Sequence, residues 1–433
     1  MMRSLFSGVS GLRAHQTRMD VIGNNIANVN TVGFKSGRVT FQEVFSQTIR
    51  GAGAPDAASG RGGINPMQIG LGIGVGSVDT ITTRGSVQRT DNPTDLSIDG
   101  DGYFIAKTNS GTYEFTRAGN FGIDKLGNLV TGDGLNVYGW QQYTPNPDGT
   151  FTFDTQKQPE AINLYSDPYN KNKKMIAAKA TTTAVFAGNL DASKSVVATP
   201  AASNVEFTIP VTVYDSLGND YKVNVDLWKT NVTASGTTWN WQLNSSSGAS
   251  STASGTIDFD LNGQAVSGLS ANVVLVPATG AGTSNVNVAI DFTKLTMFAA
   301  DSSAKPTNVD GYEAGNLVTF NIGTDGILTG VYSNGQQQPL GMVGLATFEN
   351  PAGLQKIGNN MFIPTTNSGD FKKAIKPGTE GTGTLSPGTL EMSNVDLSKE
   401  FTDMIVTQRG FQANSRIITT SDEMLQELVN LKR

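Results

Sequence analysis

Histidine, the side chain best suited to proton transfer near neutrality, occurs once in this chain of 433 residues, at His15. No serine or acid constellation accompanies it, so a surface or interface role is expected rather than catalysis. Asp99-Gly100-Asp101-Gly102 alternates acids with glycines, a pattern that could wrap Ca²⁺. Counted as a helix-loop-helix calcium loop, however, its fifth position is Tyr103 and its twelfth is Ser110 where a bidentate Glu is needed, which favours a β-turn. Glycines fall at every second position from Gly70 to Gly76, so no phosphate-binding register fits, and no Gly-Lys-Ser/Thr follows. With 37 acidic residues, a carboxylate pair for glycoside hydrolysis stays open, because the spacing of such a pair is a property of the fold. The absence of cysteine excludes disulfides, thiolate metal sites and cysteine nucleophiles. No catalytic set, cofactor site or metal site is expected.

The stronger pattern is one of packing. Near the start, Leu5, Val9, Leu12, Gln16, Met19, Gly23 and Ile26 recur at alternating intervals of four and three, with Ile22 beside them, which places one stripe along a helix. Leu397, Phe401, Met404, Gln408, Phe411, Ser415, Ile418, Asp422, Leu425 and Val429 repeat the alternation at the far end. Amphipathic helices of roughly 25 to 35 residues are marginal in water unless the stripe is covered, so each end needs a partner, and the nearest candidate is the other end. The polar interruptions suit a larger assembly with register-setting contacts better than a simple two-helix pair. Ser393 with Asp396 three residues on fits a loose capping pattern for the second helix, and Gly410 inside that helix points to close packing.

Between the ends the texture is β. Charged residues make up 16%, glycine numbers 50, and Asn, Ser and Thr are abundant. Antiparallel strands and turns are expected over Leu96 to Trp140 and again over Leu317 to Ile363, one domain drawing on both segments. Val205, Phe207, Ile209, Val211 and Val213 should face Tyr221, Val223, Val225 and Leu227 across a turn at Ser216 to Asn219. Ile69, Leu71, Ile73 and Val75 alternate with glycines, which predicts one strand with a bare face. Gly51 to Gly63 and Lys376 to Gly388 read as linkers or hinges. The expected organisation is a helical terminal domain over 1–28 and 396–433, connecting segments over 29–76 and 364–395, an inner β domain over 77–141 and 301–363, and an inserted outer β domain over 142–300. The fold class is mainly β with α-helical termini, the paired helices forming a coiled-coil-like base. A net charge of −6 without a basic stripe argues against nucleic acid. No apolar run reaches the length of a signal peptide core or a membrane span, so neither membrane insertion nor a cleaved leader is expected.

The run Asn24-Asn25-Ile26-Ala27-Asn28-Val29-Asn30-Thr31-Val32-Gly33-Phe34-Lys35 resembles the N-terminal signature of the bacterial flagellar rod and hook family. Residues Asn25, Ala27, Asn28, Thr31, Gly33, Phe34 and Lys35 carry it. The opening MMRSLFSGVSGLRAHQTRMDVIGNN, the segment from Asp95 to Trp140 and the ending from Ser393 are similar to the same family, about half the chain in all. The length and the large β insertion are more similar to hook subunits than to distal rod subunits. The resemblance implies a homopolymeric, curved and flexible tube around an export channel, transmitting torque from rod to filament. It also implies export by the flagellar type III apparatus to a cell-surface appendage, with rod, hook cap and hook-filament junction proteins as partners. Leu5, Val9, Leu12, Met19, Ile22, Ile26, Leu397, Phe401, Met404, Phe411, Ile418 and Leu425 would then be subunit-interface residues. A distal rod subunit remains the related alternative, and a secreted β-rich adhesin or carbohydrate-active enzyme the alternative of another class.

Overall fold

The computed structural model describes residues 2–55, 60, 62–108, 110–146, 150–197, 205–245, 249–250, 253–277 and 282–431. The fold is mostly β with two long helices, α1 over Met2–Ala27 and α2 over Leu397–Asn430. The chain divides into two compact units, one of Met1–Asn170, Asn321–Thr329 and Pro339–Arg433, the other of Lys171–Phe320 and Gly330–Gln338.

In the first unit α1 and α2 run antiparallel, since Ser4 lies against Ser421 and Asn25 against Glu400. α2 begins where the Asp396 carboxylate caps it, accepting from the N–H groups of Ser398 at 2.9 Å and Lys399 at 3.3 Å. Ser393 is therefore not the cap; its hydroxyl accepts from the Val395 N–H upstream of the helix. After α1, Gly37–Glu43 pairs antiparallel with Ile73–Thr80, and Ser46–Arg50 with Met67–Gly70. The single strand expected over Ile69 to Val75 is thus two, broken where Gly72 takes a φ of +124°. Part of the expected 51–63 linker, residues 56–59 and 61, lies outside the described residues.

The β core of this unit joins distant segments. Tyr103–Lys107 pairs with Tyr113–Thr116, which pairs with Met361–Ile363, while Asn136–Trp140 pairs with Tyr103–Lys107 on one side and with Met342 and Val343 on another. Its interior is aromatic: Tyr103, Phe115, Trp140, Phe153 and Phe362 are buried together. Residues 142–170 belong here, because Glu160–Ala161 pairs with Asn136–Trp140 and Ile162 and Leu164 are fully buried. Thr384–Pro387 pairs with Leu96–Asp99, so Lys376 to Gly388 is not a free hinge.

The second unit contains two five-stranded sheets sharing one core. Phe207–Tyr214 faces Asp220–Thr233 in the expected register, Ile209 opposite Val225 and Val211 opposite Val223. Trp241 on this sheet meets Phe292 of the other, ring centres 5.6 Å apart. Lys305–Val309 pairs with Thr183–Asp191, which draws residues 301–320 into this unit. The division near 171 and 320 differs from the expected 142 and 300 because composition does not change where the chain passes from one core to the other.

Candidate assembly site

The contact between α1 and α2 is built from small and polar side chains. Gly8, Gly11 and Ala14 are buried on α1, with Thr407 and Ser421 on α2. A Cβ at Gly8 would lie 3.3 Å from the Ile418 side chain, one at Gly11 2.8 Å from the Asn414 amide, and one at Gly410 2.7 Å from the His15 ring. Glycine at these positions lets the helix axes approach closely, as the glycine inside α2 leads one to expect. Polar pairs fix the register: Arg18 bonds Asp403 at 2.9 Å, and the Asn25 amide donates to Glu400 at 3.2 Å and to the Gly37 carbonyl at 2.9 Å. Burial raises the Glu400 carboxyl, opposed by the Asn25 bond. The His15 ring stands edge-on to Phe41, its Nδ1 buried without a hydrogen-bond partner, and burial, then Arg18, hold it below the ordinary histidine value.

The row that faces α2 is Ser4, Gly8, Gly11, His15, Arg18, Ile22 and Asn25; on α2 it is Glu400, Asp403, Thr407, Gly410, Asn414 and Ser421. Each is the apolar stripe of the sequence displaced by one residue, a rotation of about 100° about the helix axis. Apolar side chains are left at the margins of the pair or outside it. Ile22 is buried, and Leu5, Leu12, Met19, Ile26, Met404, Ile418 and Leu425 are half-buried. Val9, Leu397, Phe401 and Phe411 are exposed, as are Phe6, Ile405, Val406, Met424 and Leu428. The small-residue row was present in the sequence at the same four-three spacing, but small side chains give little hydrophobic signal.

The signature residues tie the helices to the β core. Lys35, 1% exposed, donates to Glu391 at 2.7 Å and to the Thr83 carbonyl at 2.9 Å, and Arg117 reaches the other Glu391 oxygen at 3.3 Å. Burial lowers the affinity of Lys35 for its proton, and Glu391 opposes this. The Gly33 N–H donates to the Glu391 carbonyl at 2.7 Å, and with φ at +69° and the Ala118 N–H 2.7 Å from where a Cβ would stand, only glycine fits. Phe34 lies under the Lys356 ammonium, 5.0 Å from the ring centre, and Lys356 donates to the Lys35 carbonyl. Asn28 accepts from the Thr31 hydroxyl at 3.1 Å, closing the turn after α1, while Ala27 is exposed. Asn394 accepts from the Ser36 N–H and donates to the Ile81 carbonyl. Glu391, Arg117 and Asn394 had no motif to announce them. Asp99, part of the acid-glycine run, pairs with Arg84. Among the described residues no group of three or more His, Cys, Asp or Glu is placed to hold a metal ion, and no helix is long and apolar enough to cross a membrane.

Two end helices packed through small and polar side chains, with Phe401 and Phe411 left exposed, are tied to a β body by a buried ion cluster. Family profiles agree along the chain: "Flagella basal body rod protein" over residues 5–35, "Flagellar hook protein FlgE/F/G D1 domain" over 97–166, "Flagellar basal body protein FlaE D2 domain" over 189–312 and "Flagellar basal body rod FlgEFG protein C-terminal" over 386–431. The flagellar hook protein FlgE of Borreliella burgdorferi is 41% identical and that of Treponema pallidum 38%, each over the whole of both chains. The flagellar basal-body rod protein FlgG of Bacillus subtilis is 35% identical, also over both whole chains, so length does not separate hook from rod. A Helicobacter pylori hook protein FlgE2 structure covers 69% of this chain and 98% of its own at 14% identity, with a TM-score of 0.46. The chain belongs to the flagellar hook and rod family. It is a structural component of the flagellum, an external appendage, and takes part in a polymeric assembly with other flagellar components; it is not an enzyme.

Proposed function

We propose that this chain is the hook subunit, polymerising through its terminal helices into a curved, flexible tube that carries torque from rod to filament and encloses the export channel. The observation that carries the reading is the one-residue rotation of the α1–α2 contact, which leaves Phe401 and Phe411 exposed on a helix whose other face is satisfied. Side chains of that size, repeated along a helix, are covered in a stable assembly, and a contact between unlike surfaces repeated by rotation and rise makes an open filament. Leu5, Val9, Leu12, Met19, Ile26, Leu397, Met404, Ile418 and Leu425 extend the same apolar margins. The higher identity to the two hook proteins than to the rod protein favours the hook. Export by the type III apparatus, addition under a hook cap, and end contacts with rod and junction proteins follow from that place. Electron microscopy of the purified full chain tests the reading: hollow tubes are expected, and Phe401→Asp with Phe411→Asp should leave a folded protein that makes none. Tubes from the doubly substituted chain would overturn it.

A further inference from the structure

α2 outruns its partner. Ser4 stands against Ser421, so the first described residues of α1 lie near residue 424 of α2, and among the described residues the last two turns, through Asn430, have no part of α1 beside them. On this overhang Met424, Leu428 and Leu431 are 50%, 49% and 81% exposed along one side of the helix, beside Glu423 and Glu427. A complementary surface lies elsewhere in the same unit. Between α1 and the strand Ile73–Thr80 runs a cleft of about 400 Å³ lined by Phe6, Val9, Ile73 and Val75, with Arg13 at its edge. The overhang spans roughly 11 Å and the α1 side of the cleft, Phe6 to Thr17, roughly 16 Å, so one fits along the other. One surface is apolar with acidic flanks, the other apolar with a basic edge. They cannot meet within one copy, because Arg13 lies opposite the region of residue 412, about 22 Å along the helix from Glu427.

We propose that the α2 overhang of one copy seats in the α1 cleft of a second copy, Leu428 against Val9 and Glu427 facing Arg13. Each copy offers one surface and receives the other, so the contact is head-to-tail and can pass from copy to copy. The inference rests on the assembly reading above, which leaves the partner surfaces unassigned.

The chain contains no cysteine, so Val9→Cys with Leu428→Cys introduces the only thiols. In tubes grown from the doubly substituted full chain, mild oxidation should give a ladder of multimers on a non-reducing gel, and neither single variant should. Tubes without a ladder would overturn the pairing while the assembly reading stands, and a band at dimer alone would overturn it in favour of mutual two-fold cover. Failure of the unsubstituted chain to form tubes would instead count against the assembly reading. Should the cysteine pair prevent growth, charge reversal decides: Arg13→Glu and Glu427→Arg should each raise the critical concentration about tenfold, and together restore it. A combination no better than either change alone would overturn the proposal.

Discussion

Lys35, Arg117 and Glu391 place two cations and one carboxylate inside the protein, each side chain 5% exposed or less. Removing one member of a buried ion group costs about 3–5 kcal/mol, and here the members are not equivalent. Lys35→Met leaves Glu391 with Arg117 and the Gly85 N–H, so the low end of that range is expected. Glu391→Gln leaves two buried cations facing a neutral amide, and should cost more. Urea unfolding of the two variants checks the order, and equal losses would show that Glu391 does not organise the cluster. A second carboxylate governs the other unit. Burial pulls Asp310 up, but the Thr182 hydroxyl, the Thr183 and Thr182 N–H groups and Lys179 together bring it down to about 2. A carboxyl held below its unfolded value stabilises the fold above that ordinary value, near 4, and the contribution is lost as pH falls through about 2. Acid titration of thermal stability should therefore show a loss of order 1 kcal/mol across that window, after allowance for solvent screening, and Asp310→Asn should remove the step.

Helix extents and the register of the hairpin at Phe207 were legible because they are local: periodicity, turn residues and alternation all act within a few residues. The facing of α1 and α2 was not. Apolar periodicity reports which side of a helix avoids water, and here that side lies one residue away from the one used inside the subunit. The close contact depends on Gly8, Gly11 and Gly410, whose value appears only when a second helix approaches. Glu391 was invisible for a related reason, since its partner Lys35 is 356 residues away and no spacing rule reaches that far. Gly410 allows a sharp test of the packing. Helix propensity alone makes Gly410→Leu favourable by nearly 1 kcal/mol. The new side chain must nevertheless displace the His15 ring, which packs against Phe41, and overpacking costs about 1–3 kcal/mol. A net loss is expected, read as an earlier fall of helical circular dichroism in urea; a later fall would mean that the helices part at little cost.

The two units have separate cores, and the buried members of the second run from Ala184 to Ala304. Its strands pair with one another and its ring contacts among the described residues, Phe186 with Phe292 and Trp241 with Phe292, lie inside it, so its stability is not expected to depend on the terminal helices. The first unit depends on them unevenly. Residues from Gly33 to Ser36 and from Glu391 to Asn394 are woven into the β body, whereas α1 before Asn25 touches it through side chains such as Ser10, which accepts from the Ile73 N–H, and the contacts of His15 and Arg18 with Phe41. Deleting residues 2–24 should thus keep the signature clamp and both β cores while removing one of the two assembly helices. The expected product is a monomer that retains the β spectrum and the thermal transition of the second unit, and that grows no tubes at concentrations where the full chain does. Deletion through residue 36 should differ: Glu391 then loses both Lys35 and the Gly33 N–H, and the first unit should lose stability as well as assembly. Light scattering and calorimetry on the two truncations separate these effects. Tube growth by the chain lacking residues 2–24 would mean that the exposed rows of α2 suffice for polymerisation, and that the role of α1 is to shield the face of α2 it covers.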